Sequence, residues 1–148
     1  MTTYAVILSA TNICDNVVVW DDTLGPWTPP ADHYTVDIDG LEVGIGFYYD
    51  PATQVWTAPP TITASFNPNP IFLGQITTLT WESQNATNVT VDGEAVALSS
   101  SQNYTLAATG TKIVTLVATG LAGQITIKAS VKIVATQAEL DTAAPTVL

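Results

Sequence analysis

The chain has 148 residues, a formal net charge of −10, 47% hydrophobic content and only 11% charged residues. It holds no arginine, and its only lysines are Lys112, Lys128 and Lys132. It therefore offers no basic face to displace counterions from nucleic acid or to meet an anionic membrane, and no run of about 20 apolar residues marks a membrane span. A low-charge, threonine-rich, β-branched composition reads as all-β and folded. The start, Met1-Thr2-Thr3-Tyr4, lacks the basic region of a secretory signal, so synthesis in a cytoplasm is expected.

Taken in chain order, the first sixty residues read as short strands between turn signals. Tyr4–Ser9 and Asn16–Trp20 are apolar and β-branched, and Asp21–Asp32, with Gly25, Pro26, Pro29 and Pro30, reads as a loop. Tyr34–Ile38 alternates and is followed by Asp39-Gly40, a dipeptide suited to a two-residue hairpin turn because both central positions need positive φ. Glu42–Tyr49 is the expected return strand, Asp50-Pro51-Ala52-Thr53 the next turn and Gln54–Thr57 a last strand. The expectation for 1–60 is a small acidic β-hairpin meander. It carries eight acids, no Lys or Arg, and three of the four tryptophans. Two similar segments, Trp27-Thr-Pro-Pro and Trp56-Thr-Ala-Pro-Pro, read as Trp–Pro clamps that close the small domain, with a ligand-stacking platform as the other use of such rings.

Pro59-Pro60 is the expected boundary, because proline fixes φ and removes a donor and the charge density changes there. Residues 61–135 then read as seven or eight strands of a β-sandwich: Thr61–Phe66, Ile76–Glu82 with Trp81, Asn88–Val91, Glu94–Leu98, Tyr104–Ala107, Lys112–Thr119 and Gln124–Ala135. The breaks are Asn67-Pro-Asn-Pro70, Leu73-Gly74, Asp92-Gly93, Ser99–Ser101, Thr109-Gly110 and the Gly120/Gly123 turn. In the last strand Ile125, Ile127, Ala129, Val131 and Ile133 share one face, and Thr126, Lys128, Ser130 and Lys132 the other. In residues 136–148 a helical turn over Gln137–Thr142 is compatible with the sequence, but Pro145 and the apolar end with Val147 and Leu148 read as an extended C-terminal arm.

Residues able to do chemistry are few. Cys14 is alone, which excludes an internal disulfide and a cysteine-based zinc site and leaves a small buried apolar residue as the simplest reading. His33 is the only histidine, sits in a Pro-flanked loop, and would have to serve any Ser-His-Asp or Cys-His arrangement. No G-x-S-x-G, P-loop or G-x-G-x-x-G is present. Asp37/Asp39 and Asp21/Asp22 pair carboxylates, but at spacings that match no EF-hand loop, and they read as solvated edges. Asn85-Ala-Thr, Asn88-Val-Thr and Asn103-Tyr-Thr match the glycosylation pattern and, with no secretory signal ahead of them, read as unmodified. No catalytic residue, cofactor or metal is expected.

Gly74, Thr78-Leu79-Thr80-Trp81, Asn85 to Gly93, and Val117-Ala118-Thr119-Gly120 with Gly123 resemble bacterial and phage immunoglobulin-like domains over about residues 61–135. Asn16-Val-Val-Val-Trp20-Asp21, Trp27–Pro30 and Gly44-Ile-Gly-Phe-Tyr-Tyr-Asp50 resemble short domains of small phage structural and tail-associated proteins, which usually have a Trp where Phe47 or Tyr48 stands here. The resemblance implies a bacteriophage virion protein without enzymatic activity. The leading expectation is a capsid decoration or cement protein that binds the major capsid protein, often as a homo-oligomer; a tail, neck or fibre component and a glycan-binding adhesion module are the alternatives. The expected contact residues are Trp20, Trp27, Tyr48, Tyr49 and Trp56 of the first domain and Val147 and Leu148 of the arm, since aromatic side chains anchor interfaces.

Overall fold

In the computed structural model, which describes residues 1–143, the chain is almost entirely β and divides into two compact units, one of Met1–Pro60 together with Gly120–Gly123 and one of Thr61–Thr119 together with the described residues from Gln124 on. The first unit is a five-stranded antiparallel sheet of β1 (Thr2–Leu8), β2 (Ile13–Trp20), β3 (His33–Asp37), β4 (Tyr48–Asp50) and β5 (Val55–Thr57), in the order β3-β1-β2-β4-β5. One face carries the core: Ala5, Ile7, Cys14, Ile38 and Tyr49, with Val17, Tyr34, Val36, Val43 and Trp56 packed against them. The tight β4–β5 hairpin sets Tyr49 opposite Trp56, with ring centroids 4.7 Å apart. Its turn is the expected Asp50–Thr53 segment, where the Asp50 carboxylate accepts the Ala52 and Thr53 amides.

The meander is interrupted once. Asp39-Gly40 does not close a hairpin, and of the expected strand Glu42–Tyr49 only Tyr48 and Tyr49 lie in one, β4. β3 instead crosses to the far edge and pairs with β1. Burial decides this. Ile38 is 4% exposed and its amide donates to the Thr3 carbonyl, while the Asp39 carboxylate accepts the Thr3 amide. The chain end of β3 is thus bound to the start of β1. The following loop returns through Gly46, at φ +90°, whose amide donates to the Cys14 carbonyl.

The second unit is a two-sheet sandwich. β6 (Thr61–Asn67), β8 (Ile76–Gln84) and β11 (Ser100–Thr105) form one sheet in the order β11-β8-β6. β7 (Ile71–Phe72), β9 (Asn88–Val91), β10 (Glu94–Val96), β12 (Gly110–Gly120) and β13 (Gly123–Val134) form the other, in the order β10-β9-β12-β13-β7. Both inner faces contribute to a single core of Phe66, Leu79, Trp81, Val89, Leu116 and Val131, among others. Trp81 is 4% exposed and donates its indole N–H to the Ala97 carbonyl at 2.9 Å.

The inward row of β13 runs from Ile127 to Ile133; Ile125, nearer the hairpin tip, is exposed. Asn67–Pro70 ends β6 and passes the chain to the other sheet, where β7 pairs parallel with β13. Asn69 locks this passage by bonding the Ser130 carbonyl and the Lys132 amide, and buried Thr77 donates to the Pro68 carbonyl. At the C-terminal end the expected arm begins as a helix, α1 (Gln137–Ala143), a correction with a clear cause. Thr136 and Glu139 form a capping box: the Thr136 hydroxyl accepts the Glu139 amide, and the Glu139 carboxylate accepts the Ala135 and Thr136 amides. Val147 and Leu148 lie outside the described residues.

Candidate functional site

The second face of the first sheet carries the features that could meet a ligand. It is formed by Tyr4 and Val6 of β1, Thr35 of β3 and Asn16 of β2, and the loop between β2 and β3 crosses it. The loop is anchored at both ends. Near its start Asp21 caps a short 3-10 turn (Asp22–Leu24), the Trp20 indole donates to the Gly25 carbonyl at 2.8 Å, and Thr2 and Tyr4 donate their hydroxyls to the two oxygens of Asp22. Near its end the His33 amide donates to the Pro30 carbonyl and the Ser9 amide to the Asp32 carbonyl. Val6 is only 3% exposed although it lies outside the core cluster, which shows that this face is covered.

The ladder between β1 and β2 slips by one residue. Val6 pairs with Asn16 but Ile7 pairs with Cys14, so Asp15 is the extra residue of a β-bulge. A bulge redirects side chains. Cys14 keeps its place in the core while Asp15 and Asn16 both line the cleft on the other face. There the Asp15 carboxylate meets His33 Nε2 at 2.7 Å, and Asp32 meets Nδ1 at 2.7 Å. The Asp15 hydrogen bond raises the His33 pKa, partial burial opposes it, and the Asp32 bond adds to the rise. His33 in turn holds Asp32 below the usual carboxylate range. With both ring nitrogens taken by carboxylates, the imidazole has no nitrogen left to accept a proton from a nucleophile. The cleft is lined by Val6, Asp15, Asn16, Trp27, Pro30 and His33, which include no hydroxyl or thiol.

Trp27 is half-buried and walls two clefts at once. One, of about 340 Å³, contains the Asp15–His33 pair. The other, of about 220 Å³, is lined by Tyr4, Asp22, Pro26, Trp27 and Thr35. Asp22 is held below the usual carboxylate range, chiefly by the Thr2 hydroxyl and also by Tyr4, while the same bond raises the Tyr4 phenol. A larger cleft of about 700 Å³ lies in the second unit against Thr109, Gly110, the end of β13 and α1. Its carboxylate, Glu139, already holds the cap of α1.

The expected contact residues do not form one patch. Trp27 borders both clefts and Trp20 is tied to the loop. Tyr49, 8% exposed, and Trp56 belong to the core, and half-buried Tyr48 lies on β4. Pro26 and Pro30 share clefts with Trp27, whereas Trp56 packs on Tyr49. Asp15, Asn16, Tyr4 and Thr35 were not singled out by sequence reasoning. The only sequence sign of the bulge is the polar pair Asp15-Asn16 inside an otherwise apolar strand. Among the described residues no group of three or more His, Cys, Asp or Glu is placed to hold a metal ion, and no helix is long and apolar enough to cross a membrane. In comparisons with known proteins, no family model and no curated sequence matches the chain.

Proposed function

We propose that this chain is a non-enzymatic binding and structural protein of a virion, most specifically one that decorates a capsid by binding the major capsid protein, as a homo-oligomer. The observation that carries the reading is the use to which the first unit puts its reactive groups. His33 is clamped by two carboxylates, and Cys14 is fully buried with its thiol directed to the Asn16 carbonyl. Asp21, Asp22, Asp39 and Asp50 each hold a backbone or hydroxyl donor of the fold. Such a unit is built to present a rigid surface. Two small β modules of this kind would staple neighbouring shell subunits by adding buried area, and binding to the assembled state alone stabilises it by mass action. A unit with eight acids and no Lys or Arg suits a cation-lined partner and repels packaged nucleic acid.

The test is copy number: quantitative mass spectrometry of purified particles, ratioed to the major capsid subunit. A ratio near one, or a simple fraction of it, is expected for shell decoration. A far lower ratio moves the protein to the tail or neck. Absence from particles ends the virion reading and brings a free adhesion module forward.

A further inference from the structure

We infer that Trp27 and the carboxylates beside it form a receptor for cationic side chains, arginine above all, presented by a partner protein. The inference rests on the reading of the chain as a binding protein and names the chemistry of the surface it would engage. Three observations carry it. The first is placement: the Trp27 indole separates two clefts, and each contains a carboxylate, Asp22 in one and Asp15 in the other. An indole is the strongest aromatic acceptor for a cation, and a planar guanidinium can both stack on it and bond a carboxylate in bidentate fashion.

The second observation is preorganisation. Asp22 is oriented by the Thr2 and Tyr4 hydroxyls and Asp15 by His33, so neither carboxylate has to be ordered on binding. An ionised carboxylate has roughly four acceptor positions, so these bonds leave capacity for a further donor. The third is charge. Residues 1–60 contain no lysine or arginine that could occupy the clefts from within; the unit's cations are the N-terminal ammonium, whose charge bears on Asp22, and its one histidine, held between Asp15 and Asp32. The field of eight acids draws cations and opposes anions. Size agrees. Small-molecule sites run to about 300–1,000 Å³, and clefts of about 220 and 340 Å³ suit single side chains.

The test uses the full chain, isotope-labelled, with its four indole N–H signals followed by NMR and that of Trp27 assigned with Trp27→Phe. The probe is N-acetyl-arginine-amide, with its neutral citrulline counterpart and maltotriose as comparisons. The expected result is a saturable shift of the Trp27 indole and Thr35 amide with arginine, roughly tenfold weaker with citrulline. Asp22→Asn weakens the arginine response roughly threefold, as does about 0.5 M salt. Should Asp22→Asn disturb the fold, seen as lost signal dispersion, the salt and citrulline arms still decide. No saturable shift up to about 100 mM arginine probe overturns the inference, since even a very weak site would fill at that level. An equal response to citrulline, or a response to maltotriose alone, overturns it too. Particle copy number is measured separately. Arginine binding by a chain absent from particles keeps the receptor and removes the virion reading. A chain present in particles but silent to arginine does the reverse.

Discussion

His33 Nε2 lies 2.7 Å from Asp15 Oδ2, and the contact exists because β2 carries one residue more than its partner strand at that point. Without the slip between Val6 and Ile7, alternation continued from the core residue Val17 would turn Asp15 into the core and Cys14 out of it. The bulge keeps the thiol in the core and the carboxylate on the imidazole.

This geometry makes the first unit sensitive to alkali. The folded His33 pKa is raised above 6.5, chiefly by Asp15. A raised histidine contributes its stabilisation in full below the unfolded value and loses it as pH rises through the folded one. The His33 Cε1 proton should therefore titrate above the ordinary range, and Asp15→Asn should move the midpoint down. Melting temperature should fall as pH rises past the ordinary histidine value in the native chain, and less in His33→Gln. A midpoint at or below the ordinary histidine value would sink this account. On the acid side the sign reverses: Asp22 and Asp32, both held low, lose their contribution as pH falls through their folded values.

Trp81 should dominate the stability of the second unit. It is 4% exposed, lies across from Ala64 and Ser100 on the flanking strands, and bonds the Ala97 carbonyl. Trp81→Ala should cost about 3–5 kcal/mol in urea unfolding. Trp81→Phe should cost less, because it keeps most of the volume and forfeits the indole hydrogen bond. Wild-type unfolding of Trp81→Ala would contradict the strand phase described above.

Two glycines separate backbone strain from crowding. Gly93, at φ +88°, sits beside Asp92 in the β9–β10 turn with open space where a Cβ would go. Gly93→Ala should cost about 1–2 kcal/mol from conformation alone. Gly46, at φ +90°, would place a Cβ 3.4 Å from Pro59 Cγ. Gly46→Ala should cost at least as much as Gly93→Ala in the same denaturation assay, and a smaller loss would show that the Gly46 loop relaxes freely.

Cys14 should be silent to alkylation while the chain is folded. It is fully buried and burial pushes its thiol up, so the reactive thiolate is scarce and shielded. Iodoacetamide labelling at about pH 8 should proceed only in denaturant. Rapid labelling of the native chain would mean that the sheet opens at the bulge.

Much of the fold was legible because its strands alternate between a wet and a buried face. Trp81, the Asp92-Gly93 hairpin and the row Ile127 to Ile133 follow from period two and turn chemistry, both local properties. The capping box Thr136–Glu139 is equally local, but the apolar residues beyond it suggested an arm instead of a helix. The candidate site was less legible. Trp27 was singled out, yet its partners Asp15, Tyr4 and Thr35 come from three strands, and His33 showed no ligand-like spacing.

What the sequence by itself determined, then, is the all-β class, the acidity of the first sixty residues and the absence of arginine, since these depend on composition and near neighbours. Only tertiary structure decided which strands pair and what meets across them. β3 lies beside β1 because Ile38 needs burial and Thr3 can bond the chain around it. β7 joins β13 in parallel because Asn69 ties the crossing to it. Asp15 reaches His33 because of one slipped pair in a ladder. Each of these outcomes turns on contacts between residues far apart in the chain, whose pairing is chosen by the packing of the whole sheet.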